Sequence, residues 1–309
     1  MKKSNFARID THHHIVPSKY SEWLNNKGVP AIPEWSSETS LDMMGKNQIE
    51  TAILSVTTPG VEPGGSLQES RKMARELNEY CAQVVSDNPG RFGFWATLTL
   101  PDVDGALSEA AYALDELNAD GIVLLANSKG TYLGDPLFDP LLEELNRRHT
   151  VVFVHPSALA APPVPGIPAY VSDFLLDTTR AATNMVVNGT LERFPNIKII
   201  LSHGGGFIPY AADRIGITIE QAMPEKFTRD GVINSLKRFY FDTALTGATS
   251  ALPSLLTFAD PSRITFGSDF PYAVSETATW FTQKLDNYKN ADHHAINRGN
   301  AEALFPRLA

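Results

Sequence analysis

Short apolar runs rich in β-branched residues recur along the chain, and stretches with helical spacing separate them. Eight runs stand out, at residues 7–12, 51–57, 91–98, 121–125, 150–155, 197–202, 238–243 and 263–267. Val151-Val152-Phe153-Val154 and Ile197-Lys198-Ile199-Ile200-Leu201 hold almost no polar position, the pattern of strands covered on both faces in a parallel sheet. Amphipathic helical patterns cover residues 66–86, 104–118, 136–148, 172–193, 250–258 and 275–288. In the first of these, Leu67, Met73, Ala74, Leu77, Cys81 and Val84 keep to one face. Strand and helix alternate eight times, which predicts an α/β chain folded as a (β/α)8 barrel, with excursions at residues 17–37 and 207–229. No composition break marks a second domain, so residues 1–309 read as one barrel domain with short insertions.

Composition narrows the class. Apolar residues make up 43% and charged residues 20% of the 309, enough for a full core and unlike a disordered chain. The net charge of −9, without a long Lys/Arg run, argues against nucleic acid or an anionic membrane as partner. Cys81 is the single cysteine, so no intrachain disulfide forms and a reducing, cytoplasmic setting is expected. No apolar run reaches membrane-spanning length, and the polar start does not read as a signal peptide.

Barrel enzymes place their chemistry at the C-terminal ends of the strands. Strand 1 ends in Asp10-Thr11-His12-His13-His14, strand 5 in His155-Pro156, strand 6 in Ser202-His203-Gly204-Gly205-Gly206 and strand 8 in Gly267-Ser268-Asp269-Phe270-Pro271. His12 and His14, two apart on an extended strand, share a face about 6.5–7 Å apart along the backbone and can converge on one ion. His13 then points away and is expected to be a packed or hydrogen-bonded side chain. With His155 and Asp269 they form a set of three nitrogens and one carboxylate, suited to one divalent ion: zinc first, with manganese as the alternative. Leu124-Leu125-Ala126-Asn127 ends strand 4 without a bridging group, and Lys129 lies further out, so the site reads as mononuclear.

His203, flanked by glycines that permit close approach, reads as a general acid/base beside the metal. A further metal ligand or a structural histidine are the other readings. Asp269 is the second candidate proton carrier. Arg180 and Arg214 are candidates to clamp a substrate carboxylate, against ordinary ion pairing. Trp35 is a candidate wall of a planar-substrate pocket, against lid packing. Cys81 reads as a core residue, and His293 and His294 as surface residues.

The motifs Ile9-Asp10-Thr11-His12-His13-His14-Ile15-Val16-Pro17, Val154-His155-Pro156, Leu201-Ser202-His203-Gly204-Gly205-Gly206 and Phe266-Gly267-Ser268-Asp269-Phe270-Pro271 resemble the decarboxylase branch of the amidohydrolase superfamily. That branch includes the 2-amino-3-carboxymuconate-6-semialdehyde, γ-resorcylate and 6-methylsalicylate decarboxylases. The resemblance implies His12, His14, His155 and Asp269 as metal ligands, His203 as catalytic histidine, and a homodimer. The muconate-semialdehyde group carries a substrate-binding Arg upstream of strand 2, and residues 35–46 here hold no Arg. Trp35-Ser36, Thr58-Pro59-Gly60-Val61 and Asp177-Thr178-Thr179-Arg180-Ala181-Ala182 are more similar to the 6-methylsalicylate group. The expected activity is that of a carboxy-lyase, the metal-dependent, non-oxidative decarboxylation of a small aromatic or unsaturated carboxylic acid. Hydrolysis of a lactone or amide, or hydration, on the same barrel is the alternative.

Overall fold

The computed structural model describes residues 7–29 and 32–308. Its sheet has eight parallel strands: β1 (Arg8–His14), β2 (Ile49–Ser55), β3 (Phe92–Thr97), β4 (Gly121–Leu125), β5 (Val151–His155), β6 (Lys198–Leu201), β7 (Tyr240–Asp242) and β8 (Ile264–Thr265). They pair in sequence order. Backbone bonds past the end of β8 join it to β1. Thr11 N–H donates to the Phe266 carbonyl at 2.9 Å, Asp269 N–H to that of His12 at 2.8 Å, and His14 N–H to that of Phe270 at 2.7 Å. The expected (β/α)8 barrel is therefore the fold.

Inside the barrel the strands alternate as the pleat requires. Ile9, Ile53, Trp95, Val123, Val151, Phe153 and Ile200 form one buried cluster. Trp95 stacks on Phe153 with ring centres 5.5 Å apart, and its Nε1–H donates to the Thr11 carbonyl at 3.1 Å. Ala301, Leu304 and Phe305 join this cluster from the strand-start end, where Arg8 Nε donates to Asn297 Oδ1 at 3.2 Å. A larger apolar core lies between the strands and the surrounding helices and contains Cys81, as expected.

Some local expectations changed. Residues 17–37 and 207–229 are not mere excursions. They carry the helices Ser18–Asn26 and Ile208–Ala222, which bury Tyr20, Leu24, Ile208, Ala212 and Ile219 in the outer core. Pro209 punctuates the sequence like a turn residue, yet it sits in the first helical turn, where a missing N–H costs nothing. A helix at Ser37–Lys46, with no counterpart in the sequence reading, starts from a capping box. Ser36 Oγ accepts from Thr39 N–H at 3.2 Å, and Thr39 Oγ1 accepts from Ser36 N–H at 3.1 Å. The single helix expected at 172–193 is two, Asp173–Val187 and Thr190–Arg193. They are parted by Gly189 at φ +65°, a conformation that glycine adopts freely.

The strand that matters most for function is β1. It runs through the whole His12-His13-His14 run rather than stopping at His12. Asp10 pairs with Ala52 but His13 with Leu54, so three residues of β1 face two of β2. One extra residue in a strand is a β-bulge, and it re-aims the side chains that follow. Ile9 points into the barrel, so strict alternation would have turned His13 inward. The bulge turns His12 and His14 inward instead.

Candidate metal centre and active site

Five side chains from four strand ends meet at the mouth of the barrel. The Nε2 atoms of His12 and His14 lie 3.0 Å apart, and each is close to Asp269 Oδ1, at 3.1 Å and 3.0 Å respectively. Asp269 Oδ2 faces the other way, 3.5 Å from His203 Nε2. Ligand atoms of His12, His155, His203 and Asp269 all lie within 4.8 Å of one another. The His155 ring centre is 5.3 Å from that of His12 and 4.9 Å from that of His14. All five residues are buried. Phe153 forms the floor, its ring 4.8 Å from that of His12.

Such a cluster suits a cation. Two imidazole nitrogens and a carboxylate oxygen 3.0–3.1 Å apart crowd their lone pairs together. An ion about 2.1 Å from each donor would space neighbouring donors about 3.0 Å apart at right angles and about 3.4 Å apart at tetrahedral angles. The observed spacing fits a shared ion, and the residues present make one metal site.

The outer contacts distinguish the histidines. Nδ1–H of His12 donates to Asp242 Oδ2 at 2.6 Å. Nδ1 of His14 faces Ser55 Oγ at 2.9 Å. Nδ1–H of His155 donates to the Pro156 carbonyl at 2.8 Å, and Thr57 Oγ1 lies beside the ring, 2.8 Å from Nδ1 and 3.2 Å from Nε2. These three are tied at Nδ1, which leaves Nε2 for the centre, the arrangement that fixes a ligating tautomer. Among the described residues, Nδ1 of His203 is buried and has no hydrogen-bond partner. His13 points away as expected, with Nδ1 3.1 Å from Asp10 Oδ2 and Nε2 2.9 Å from Ser40 Oγ.

Burial and charge bias the protonation of the cluster's own side chains. Burial disfavours a charged His12, but the carboxylates of Asp242 and Asp269 outweigh it and raise its pKa to about 10. Burial lowers His14 to about 4 and holds His155 well below the usual histidine range, where neighbouring imidazoles add to the effect. Burial opposes ionisation of Asp269 too, yet His12, His14 and His203 hold it well below the usual carboxylate range.

Two members of the cluster stand on left-handed backbone, His203 at φ +53° and Asp269 at φ +62°. Such non-glycine positions cost about 1–3 kcal/mol and persist where the surroundings over-determine them. His203 N–H donates to Asp242 Oδ1 at 2.8 Å, and Asp269 N–H is held by the His12 carbonyl.

Other candidates lie elsewhere. Arg180 is exposed on the helix Asp173–Val187, and its Nη1 donates to the Tyr132 hydroxyl at 3.4 Å. Arg214 is exposed on the helix Ile208–Ala222. Trp35 Nε1–H donates to Ser40 Oγ at 2.8 Å, and through that hydroxyl it reaches His13 rather than the centre. Lys129 is exposed and His293 half-buried. Asp242, fully buried, is the functional residue the sequence reading missed. Its only signal was an acid closing a buried strand run, Tyr240-Phe241-Asp242. Asp10 is a second, its Oδ1 accepting from His12 N–H at 3.1 Å and from Ser268 N–H at 3.0 Å.

The fold and the centre together define an amidohydrolase-type barrel. The chain belongs to the amidohydrolase family, whose model matches residues 9–307. Among its relatives, the decarboxylase macB of Penicillium terrestre is 39% identical over 97% of this chain and 95% of its own length. The 6-methylsalicylic acid decarboxylase of Penicillium expansum is 35% identical over 98% and 97%. The crystal structure of an amidohydrolase II superposes with a TM-score of 0.90 at 29% identity, covering 97% of this chain and 100% of that one. The family read from the strand-end motifs is the family observed. Among the described residues, no helix is long and apolar enough to cross a membrane.

Proposed function

We propose that this chain is a metal-dependent, non-oxidative decarboxylase of a small aromatic carboxylic acid, a hydroxybenzoate of the 6-methylsalicylate kind. The similarity to macB and to the 6-methylsalicylic acid decarboxylase along nearly the full length supports the reaction class. The single observation that carries the division of labour is the pattern at Nδ1. His12, His14 and His155 each have an outer partner and act with Asp269 as ligands, whereas His203 has none among the described residues and is the proton carrier. A divalent ion held there would act as a Lewis acid toward a substrate oxygen. We take it to be zinc or manganese.

Direct loss of CO₂ from an sp² carbon leaves an unstabilised carbanion. His203 avoids this by delivering a proton to the ring carbon that bears the carboxylate. The carbon–carbon bond then breaks, its electron pair returns to the ring, and CO₂ leaves. The test is a set of hydroxybenzoates offered to metal-loaded protein with CO₂ and phenol quantified together. Equimolar CO₂ and phenol are expected. Turnover of lactones or amides with no CO₂ from any aromatic acid would overturn the assignment.

A further inference from the structure

His13 stands between two residues of the metal centre yet turns away from it, and its ring is the middle of a buried hydrogen-bond chain. Nδ1 lies 3.1 Å from Asp10 Oδ2, and Nε2 lies 2.9 Å from Ser40 Oγ on the helix Ser37–Lys46. Trp35 Nε1–H donates to that hydroxyl at 2.8 Å. Asp10, His13 and Ser40 are fully buried. The sense of the chain follows from its ends. An indole N–H only donates, so it takes a lone pair of Ser40 and leaves the hydroxyl hydrogen for His13 Nε2. At the other end, Asp10 Oδ1 already accepts the backbone N–H groups of His12 at 3.1 Å and Ser268 at 3.0 Å, so His13 donates its Nδ1–H to Oδ2. His12 is a ligand candidate on β1, and Ser268 precedes Asp269 on its left-handed backbone past β8. Asp10 thus bridges the seam where the barrel closes and where Asp269 Oδ1 meets Nε2 of His12 and of His14.

We infer that His13 is a positioning residue for the metal centre, a reading that rests on the ligand set proposed above and not on the reaction. By donating to Asp10 it fixes the carboxylate that ties β1 to the turn after β8, and with it the spacing of His12 and Asp269. Without the Nδ1–H, Oδ2 becomes a buried oxygen with no partner. The carboxylate then turns to regain one and loosens its hold on the two backbone donors. Ser268 N–H would keep only its longer contact to the His12 carbonyl, at 3.3 Å. Metal–ligand distances tolerate about 0.2 Å, so a small slip of the turn that carries Asp269 is felt at the ion.

The probe is Co²⁺ alone, added to metal-free protein. Its affinity is read by competition with a chelator and the geometry of its site by the visible d–d bands. Asn carries its amide N–H where Nδ1–H of His13 stands, and Gln carries its amide where Nε2 stands. His13→Leu and His13→Gln should each bind Co²⁺ about tenfold more weakly and shift the bands, whereas His13→Asn should stay within about threefold of wild type and keep them. Gln supplies a polar side chain of similar length, so it carries the comparison if the Leu variant does not fold, which a thermal melt of the metal-free protein decides. A folded Leu or Gln variant with wild-type affinity and bands, or an Asn variant as weak as the Gln one, would overturn the inference. A wild type that takes up no Co²⁺ would sink the metal reading and the inference with it. Unchanged variants beside a wild type that binds Co²⁺ would sink the inference alone.

Discussion

Replacing Asp242 by Asn tests whether one buried carboxylate sets the state of the metal centre. Asp242 Oδ2 takes the Nδ1–H of His12, while Oδ1 accepts from the N–H groups of His203 at 2.8 Å and Ala244 at 3.0 Å. An Asn of the same shape has one carbonyl oxygen. Two main-chain donors will claim it, which turns the amide NH₂ toward His12. His12 must then accept at Nδ1 and carry its proton on Nε2, the nitrogen that faces His14 and Asp269. A protonated Nε2 is no ligand. Loss of an outer contact of this kind commonly weakens metal affinity 10- to 100-fold. That corresponds to about 1.4–2.7 kcal/mol. The assay is competition with a chromophoric chelator, with a thermal melt to establish that the variant is folded. Asp242→Asn should lose affinity by that factor while its apo form melts within a few degrees of wild type. An affinity within twofold of wild type in a folded variant would refute the tautomer argument and leave Asp242 as a backbone clamp for His203.

His203→Asn should keep the metal, measured by elemental analysis, and lower kcat by about 10²- to 10⁴-fold. Loss of metal would make His203 a ligand. Arg180 and Arg214 are exposed, and solvent screening weakens any contact they make with substrate. Arg180→Met and Arg214→Met should each leave kcat/KM within about twofold, and a tenfold loss in either would restore it as the carboxylate anchor. Glu62 titrates near 7 when folded, against 4.5 for the free side chain, so its ionisation favours the unfolded chain. Its folded-state stability is fully present below pH 4.5 and is lost as pH rises through 7, by at most about 3 kcal/mol. Glu62→Gln should therefore match wild type in Tm at pH 4.5 and exceed it at pH 8, and a difference independent of pH would disprove the titration.

The order of the strands was legible because most of them are apolar on both faces, and the helices that were read each carry one apolar face. That periodicity survives without knowledge of neighbours. The barrel followed from it, as did the strand ends that hold His12, His14, His155, His203 and Asp269, since strand ends are where such a barrel gathers side chains. The motifs likewise carried the family. What the sequence left open depends on partners far away along the chain. The convergence of His12 and His14 was read from their spacing and place at the strand end, but the bulge in β1 that turns them inward is set by register against β2, which a period-2 reading of one strand cannot contain. Asp242 is 230 residues from His12 and looks like any acid at a strand end until the barrel closes. Arg180, Arg214 and Trp35 were attractive by residue type, but which way a helix or loop side chain faces is settled only by packing, and it turned them to solvent or toward Ser40. Local pattern decides which elements form. The tertiary contacts decide which atoms of those elements meet, because hydrogen bonds and metal sites depend on distances between residues that the chain order keeps apart.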